Sequence, residues 1–325
     1  GVPGSTEDNP IRISVEGTED VKRDLVGWKY SAWTEEVLRY ILRYEIILSD
    51  KYCRSECGNA PTLPERDPNR GYIVTFLTPF LCSSSMYNPV HGSEELRTIF
   101  TDLEIDTKLP EIRTLKENIQ ACRDGYNEQW TKFKRKASEL GINWEHVEIN
   151  LKSVGERCPI LRNSYPVYLE RQNERFANAC TVSMMEAFAH CGHNPLWGEI
   201  QIKSRSAHQL ATRKCDAKID LKNGNGELWI LETKSKSNWD ELGVRQDFWK
   251  VVKTMMLSLS SSGKKYTFGS VQNGTEVDLY ACFRIERAVY GIALLNETPL
   301  ELVADTKDGA MGDLLAIYYF GLAMR

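Results

Sequence analysis

Two neighbouring segments, CDAKIDLK and GELWILETK, hold charged residues at spacings that could do chemistry. Glu232 and Lys234 are two apart, so on a strand both point to the same face, and they follow the apolar run Leu228-Trp229-Ile230-Leu231. Charges at the end of a core strand are costly unless paired or bound to a metal, so they suggest a site. Asp216 precedes them on the adjoining segment, close enough in a hairpin to approach Glu232. Two converging carboxylates repel, and a hard divalent cation, Mg²⁺ or Mn²⁺, reverses that cost through oxygen ligation. Such an ion lowers the pKa of bound water and stabilises charge on a phosphoryl oxygen, while the Lys234 ammonium orients the nucleophile or neutralises the phosphorus centre. The implied chemistry is phosphodiester hydrolysis. The competing reading is a strand-end Glu–Lys salt bridge with Asp216 as a turn residue.

The elements that must position these residues follow from periodicity. Asn223-Gly224-Asn225-Gly226 is a hairpin signal, so the two segments are expected as antiparallel neighbours. A helix from about 166 to 190 and a strand around GEIQIK precede them. A helix over 238–258, strands over 277–285 and 289–295, and a last helix near 311–322 follow. Upstream, Val37, Leu38, Ile41, Tyr44 and Leu48 predict a helix over 31–50, and 53–71 reads as a loop before a strand or helix over 72–82. Leu115, Ile119, Cys122, Tyr126, Trp130, Phe133, Ala137 and Leu140 form the stripe of one long amphipathic helix over 111–140, with Gly125 as its weak point. Residues 151–166 read as turn-rich.

Asp216, fifteen intervening residues and Glu232-Thr233-Lys234 together resemble the PD-(D/E)XK nuclease superfamily over roughly residues 166 to 295. The resemblance implies a restriction-endonuclease-like α/β (α+β) fold, a mixed sheet flanked by helices, whose core runs helix, three strands, helix, strand. It implies Asp216, Glu232 and Lys234 as the catalytic centre. It adds a first-helix carboxylate, Glu174 with Glu170 as rival, as a third metal ligand beside Asp216 and Glu232, and a second-helix polar partner, Gln246. Cys215 stands where the family usually has proline, which leaves Asp220 as an alternative to Asp216; the strand continuing through AKIDL favours Asp216.

The chain has 325 residues, 42% hydrophobic and 26% charged, which is the composition of a folded protein. The expected organisation is a lead-in over 1–27, a mainly helical accessory region over 28–160 and a nuclease-like domain over 161–325. The net charge of −4 excludes a wholesale polycation, so nucleic acid would need a local basic surface. Residues 203–253 hold eleven Lys or Arg against seven Asp or Glu, and Lys203, Arg205, Arg213, Lys214, Lys236 and Lys250 are the candidate phosphate contacts. Nine irregularly spaced cysteines suggest reduced thiols and an intracellular setting, cytoplasm or nucleus, with a removed secretion signal left open. No 18-residue apolar run is present, so no membrane partner is expected. Cys53, Cys57, His190, Cys191 and His193 lack the paired spacing of a structural zinc site. The expected function is a Mg²⁺- or Mn²⁺-dependent nuclease, with DNA favoured over RNA and the N-terminal helices as a surface for a protein partner. The alternative is an inactive module of the same fold that binds nucleic acid or protein, for example within an effector or mobile-element protein.

Overall fold

A computed structural model describes residues 70–74, 103–104, 109–164, 174–207, 212–222, 224–235, 241–286 and 289–325. The expected lead-in, the helix over 31–50 and most of the segment 53–82 lie outside the described residues.

The chain folds into a mixed sheet flanked by helices. In order, the strands are β1 (Arg70–Val74), β2 (Leu103–Glu104), β3 (Pro195–Gln201), β4 (Lys214–Asp220), β5 (Glu227–Lys234), β6 (Tyr266–Asn273), β7 (Glu276–Glu286), β8 (Val289–Leu294) and β9 (Leu300–Glu301). The helices are α1 (Pro110–Asp124), α2 (Tyr126–Glu139), α3 (Trp144–Ser164), α4 (Glu174–Cys180), α5 (Val182–His190), α6 (Lys203–Ala207), α7 (Glu241–Ser262) and α8 (Lys307–Ala323). Strand order across the sheet is β2-β1-β8-β7-β6-β5-β4-β3, with β9 added beside β7. Every pairing is antiparallel except β5 with β6. A parallel pair needs a crossover, and α7 supplies it.

Alternation along β5 sorts the core into two layers. Trp229 and Leu231 face one way, into a cluster built from α1, α2, α3, α5 and α8. Ile230 faces the other way, onto Phe248, Val251, Val252 and Met255 of α7. Gly269 on β6 lets α7 come close, since a Cβ there would sit 2.4 Å from Val251 Cγ1 and 2.8 Å from Met255 Sδ. The first cluster runs from Ile112 to Met324 and so draws on both sides of the boundary near residue 160 expected from the sequence. Among the described residues no helix is long and apolar enough to cross a membrane.

Several sequence expectations need correction. The stripe over 111–140 is carried on α1 and α2 as two helices, because the chain breaks at Gly125 (φ −154°); it is buried at Leu115, Ile119, Cys122, Trp130, Phe133 and Ala137, half-buried at Tyr126 and exposed at Leu140. Residues 151–164 continue α3 as helix despite Pro159, with Gly155 packed so closely on α8 that a Cβ would meet Met311 Cγ at 2.7 Å. The helix expected over 166–190 is described from Glu174 onward as α4 and α5, separated at Thr181. The largest miss is β6, where the sequence reading places no strand between Ser258 and Val277. In YTFGSVQN half of the eight residues are Thr267, Gly269, Ser270 and Gln272, which erases the apolar signal. Those polar groups are bonded inside the core. Thr267 Oγ1 donates to the Met255 carbonyl, Ser270 Oγ accepts from Trp229 Nε1 and Gln272 Nε2 donates to the Ala177 carbonyl.

Candidate active site

The hairpin forms as expected, with Ala217 opposite Leu231 as the last ladder pair at the open end of β4 and β5. Gly224, at φ +76°, supplies the left-handed turn geometry. Asp216 lies one residue past that last pair, beside a bulge in the β3–β4 ladder between Trp197 and Ile200. A bulge re-aims a side chain, and here the Asp216 carboxylate accepts the Thr233 N–H at 2.7 Å. The neighbouring Cys215 is buried, with Sγ 3.5 Å from the Ile200 carbonyl oxygen.

Glu232 is 4% exposed and, by alternation with Leu231, turns to the α7 side of the sheet. There Lys250 Nζ lies 2.6 Å from Glu232 Oε2. Glu232 Oε1 is buried with no hydrogen-bond partner. Burial pushes the Glu232 carboxyl up to about 8; the Lys250 ammonium works against this, and the Asp216 and Asp247 charges add to it. Lys234, partly exposed at the strand end, lies 3.6 Å from Asp247 Oδ2. Burial also raises the Asp247 carboxyl, opposed by Lys234 and Lys250. Asp247 and Lys250 are three apart on α7 and so share a face.

Asp216, Glu232 and Lys234 are thus brought to one end of β4 and β5, with Asp247 and Lys250 set over them by α7. Sequence reading misses Asp247. Its i,i+3 spacing to Lys250 beside the named Gln246 is the available signal. Glu174 opens α4, and Gln246 lies on α7 one turn before Lys250; both side chains lie outside the described part, as do Glu170 and Lys236. Asp220 belongs to the opposite end of β4, where Lys203 and Lys218 pair with it at 2.6 and 2.8 Å. Burial works against the Asp220 carboxylate, but the hydrogen bonds and charges of Lys203 and Lys218 hold it below the usual range.

The candidate phosphate contacts are dispersed. Lys250 is paired in the site, Lys203 is paired with Asp220, and Lys214 is exposed and bonded to Glu199 at 3.0 Å. Arg205 is 3% exposed, and Arg213 is partly buried. His190 and His193 serve the α5–α8 contact, with His190 Nδ1 2.7 Å from the Tyr318 hydroxyl and His193 Nε2 2.8 Å from the Gly321 carbonyl. Cys122, Cys158, Cys180, Cys191, Cys215 and Cys282 are free thiols.

Among the described residues no group of three His, Cys, Asp or Glu side chains gathers closely enough to hold a metal ion. The fit to a divalent cation therefore rests on two carboxylates and one orphaned oxygen. A buried carboxylate oxygen without a donor is costly, and a cation coordinated by Glu232 Oε1 beside Asp216 would remove that cost. No family of known proteins, no curated protein and no solved structure matches the chain.

Proposed function

We propose that this protein is a divalent-cation-dependent nuclease with a PD-(D/E)XK-type, restriction-endonuclease-like core, acting on DNA in preference to RNA. The observation that carries the reading is the unpartnered Glu232 Oε1, buried near the Asp216 charge, on a carboxylate whose other oxygen Lys250 holds. The element order α5, β3, α6, β4, β5, α7, β6 supports it, since apart from the five-residue α6 it is the helix, three strands, helix, strand that the sequence resemblance predicts.

Asp216 and Glu232 would hold Mg²⁺ or Mn²⁺, with Glu174 as the further ligand that the resemblance adds. When bound, the cation supplies Lewis-acid stabilisation of charge on a phosphoryl oxygen. The Thr233 N–H fixes the Asp216 carboxylate, so this ligand is oriented before any ion arrives. Lys234 sits at the partly exposed end of β5, where its ammonium can offset negative charge on a phosphodiester. Burial of Glu232 keeps water from that carboxylate, which strengthens the charge interactions it makes.

The test incubates wild type, Glu232→Ala and Lys234→Ala with labelled single- and double-stranded DNA and RNA in Mg²⁺, Mn²⁺ or EDTA. Metal-dependent cleavage is expected in wild type, falling at least about a hundredfold in each variant. One observation favours a second reading, a non-catalytic binding module: Lys250 and Lys234 already offset Glu232 and Asp247 without a metal. Absence of cleavage on every substrate, with salt-sensitive binding unchanged by the two substitutions, would decide for the module.

A further inference from the structure

The two ends of the Lys250–Glu232 pair differ in their freedom. Glu232 is fixed on a core strand, and its side chain is 5% exposed. Lys250 reaches it from the facing helix on a flexible stem, and its side chain is 23% exposed. The lysine has a route to water that the carboxylate lacks. The pair is also incomplete, because Lys250 satisfies Oε2 while Oε1 stays buried without a donor. One ammonium held by one oxygen is thus the only cation contact of a carboxylate with coordination capacity left over, among the described residues.

We propose that Lys250 is an internal counter-ion of Glu232 which a divalent cation displaces, so that the metal affinity of the site is set by competition between that ammonium and the ion. This rests on the metal-dependent reading above and adds what regulates its loading. Lys250 is a positioning residue in this scheme. It keeps Glu232 compensated until an ion arrives, and on displacement its charge moves along the stem towards solvent. Lys234 is the natural contrast, since it carries the same charge at the same site yet pairs with Asp247.

Calorimetric titration of the full chain with Mg²⁺ and with Ca²⁺ at pH 8.5, without substrate, tests this. Lys250→Met keeps the stem and removes the competing charge; because the same loss lets a proton hold Glu232 more tightly, the comparison is repeated at pH 9.5, where about tenfold tighter binding of both ions is expected. Lys250→Arg restores the charge and should return the affinity to within about threefold of wild type. Lys234→Met should tighten binding much less. Lys250→Gln replaces the Met variant if circular dichroism shows that the latter does not fold. Binding by Lys250→Met no tighter than wild type would overturn the competition while leaving the nuclease reading intact. Equal tightening in Lys234→Met would overturn it as well, by showing a general field rather than a displaced contact. Absence of ion binding in wild type and all variants would remove the metal-dependent reading itself, and this proposal with it.

Discussion

The β4–β5 hairpin carries buried charge at both ends, and the two ends are finished differently. At the turn end Glu227 is 2% exposed, and both of its oxygens have protein donors. The Lys203 and Ser204 N–H groups and the Ser258 hydroxyl reach them, with Lys218 Nζ 3.5 Å away. Lys218, 1% exposed, is shared with Asp220 and donates to the Gln201 carbonyl at 2.8 Å. At the open end Glu232 is nearly as buried, but Oε1 has no donor and no ammonium against it, whereas Asp220 Oδ1 at the turn end has Lys218 Nζ at 2.8 Å. Both ends use the same two strands and the same covering helix, which sends Ser258 to one and Asp247 and Lys250 to the other. Burial of charge alone does not mark a site, because a carboxylate whose lone pairs are all met by the protein is a structural tie. The unfinished carboxylate is the one with capacity for a ligand.

The largest expected difference comes from Glu227→Ala, which strips the buried Lys218 of one partner and two backbone N–H groups of their acceptor. It should cost about 3 to 5 kcal/mol in urea denaturation. A loss below about 1 kcal/mol would mean the turn end is not a closed tie. Next is the pH dependence of the open end. The folded value of Glu232, about 8, lies above its ordinary 4.5, so the folded state holds a proton that the unfolded chain releases between those values. Stability should be highest below pH 4.5 for this group and fall by a few kcal/mol as pH rises to about 8, since each tenfold change in proton affinity is worth ~1.4 kcal/mol. Asp247, raised in the same direction, adds to the slope. Glu232→Gln should flatten most of it, and an unchanged slope in that variant would place the proton elsewhere.

Smaller effects sharpen the contrast. Gly269→Ala would drive a Cβ into Val251 and Met255 and lift α7, at about 1 to 3 kcal/mol. If α7 alone brings Lys250 to Glu232, this variant should also loosen that pair, read as a shifted Lys250 side-chain NMR signal. Asp220→Asn should be mildest. Its carboxylate is partly exposed, so a loss of about 1 kcal/mol is expected above pH 4. Because that value is depressed in the folded state, the loss should vanish as pH falls through it.

The parts legible in the sequence are those where local chemistry agrees with the fold. The hairpin follows from Asn223 to Gly226, the core strand from LWIL, and the α1 and α2 stripe from its spacing. Asp216, Glu232 and Lys234 are legible as a group for the same reason, being carried on one local hairpin. What escapes depends on distant partners. Strand β6 is coded by Thr267, Ser270 and Gln272, whose polarity makes sense only beside Met255, Trp229 and Ala177. Asp247 is an ordinary helix carboxylate until α7 docks on β6 and sets it beside Lys234. Lys250 reads as a phosphate contact because its partner lies eighteen residues away across a helix–strand contact.

The crossover through α7 also gives the site an order of assembly. The two carboxylates sit on a hairpin whose strands are joined by a short turn, a local pairing of the kind that closes in microseconds. Lys250 and Asp247 arrive only when α7 packs and β6 adds in parallel to β5, a non-local pairing that forms slowly. Topology therefore predicts that the acidic pair forms before its counter-charges. Pulse-labelling hydrogen exchange should find the β4–β5 amides protected ahead of those of β6. Divalent cations present during that interval would meet Asp216 and Glu232 with no lysine yet in place.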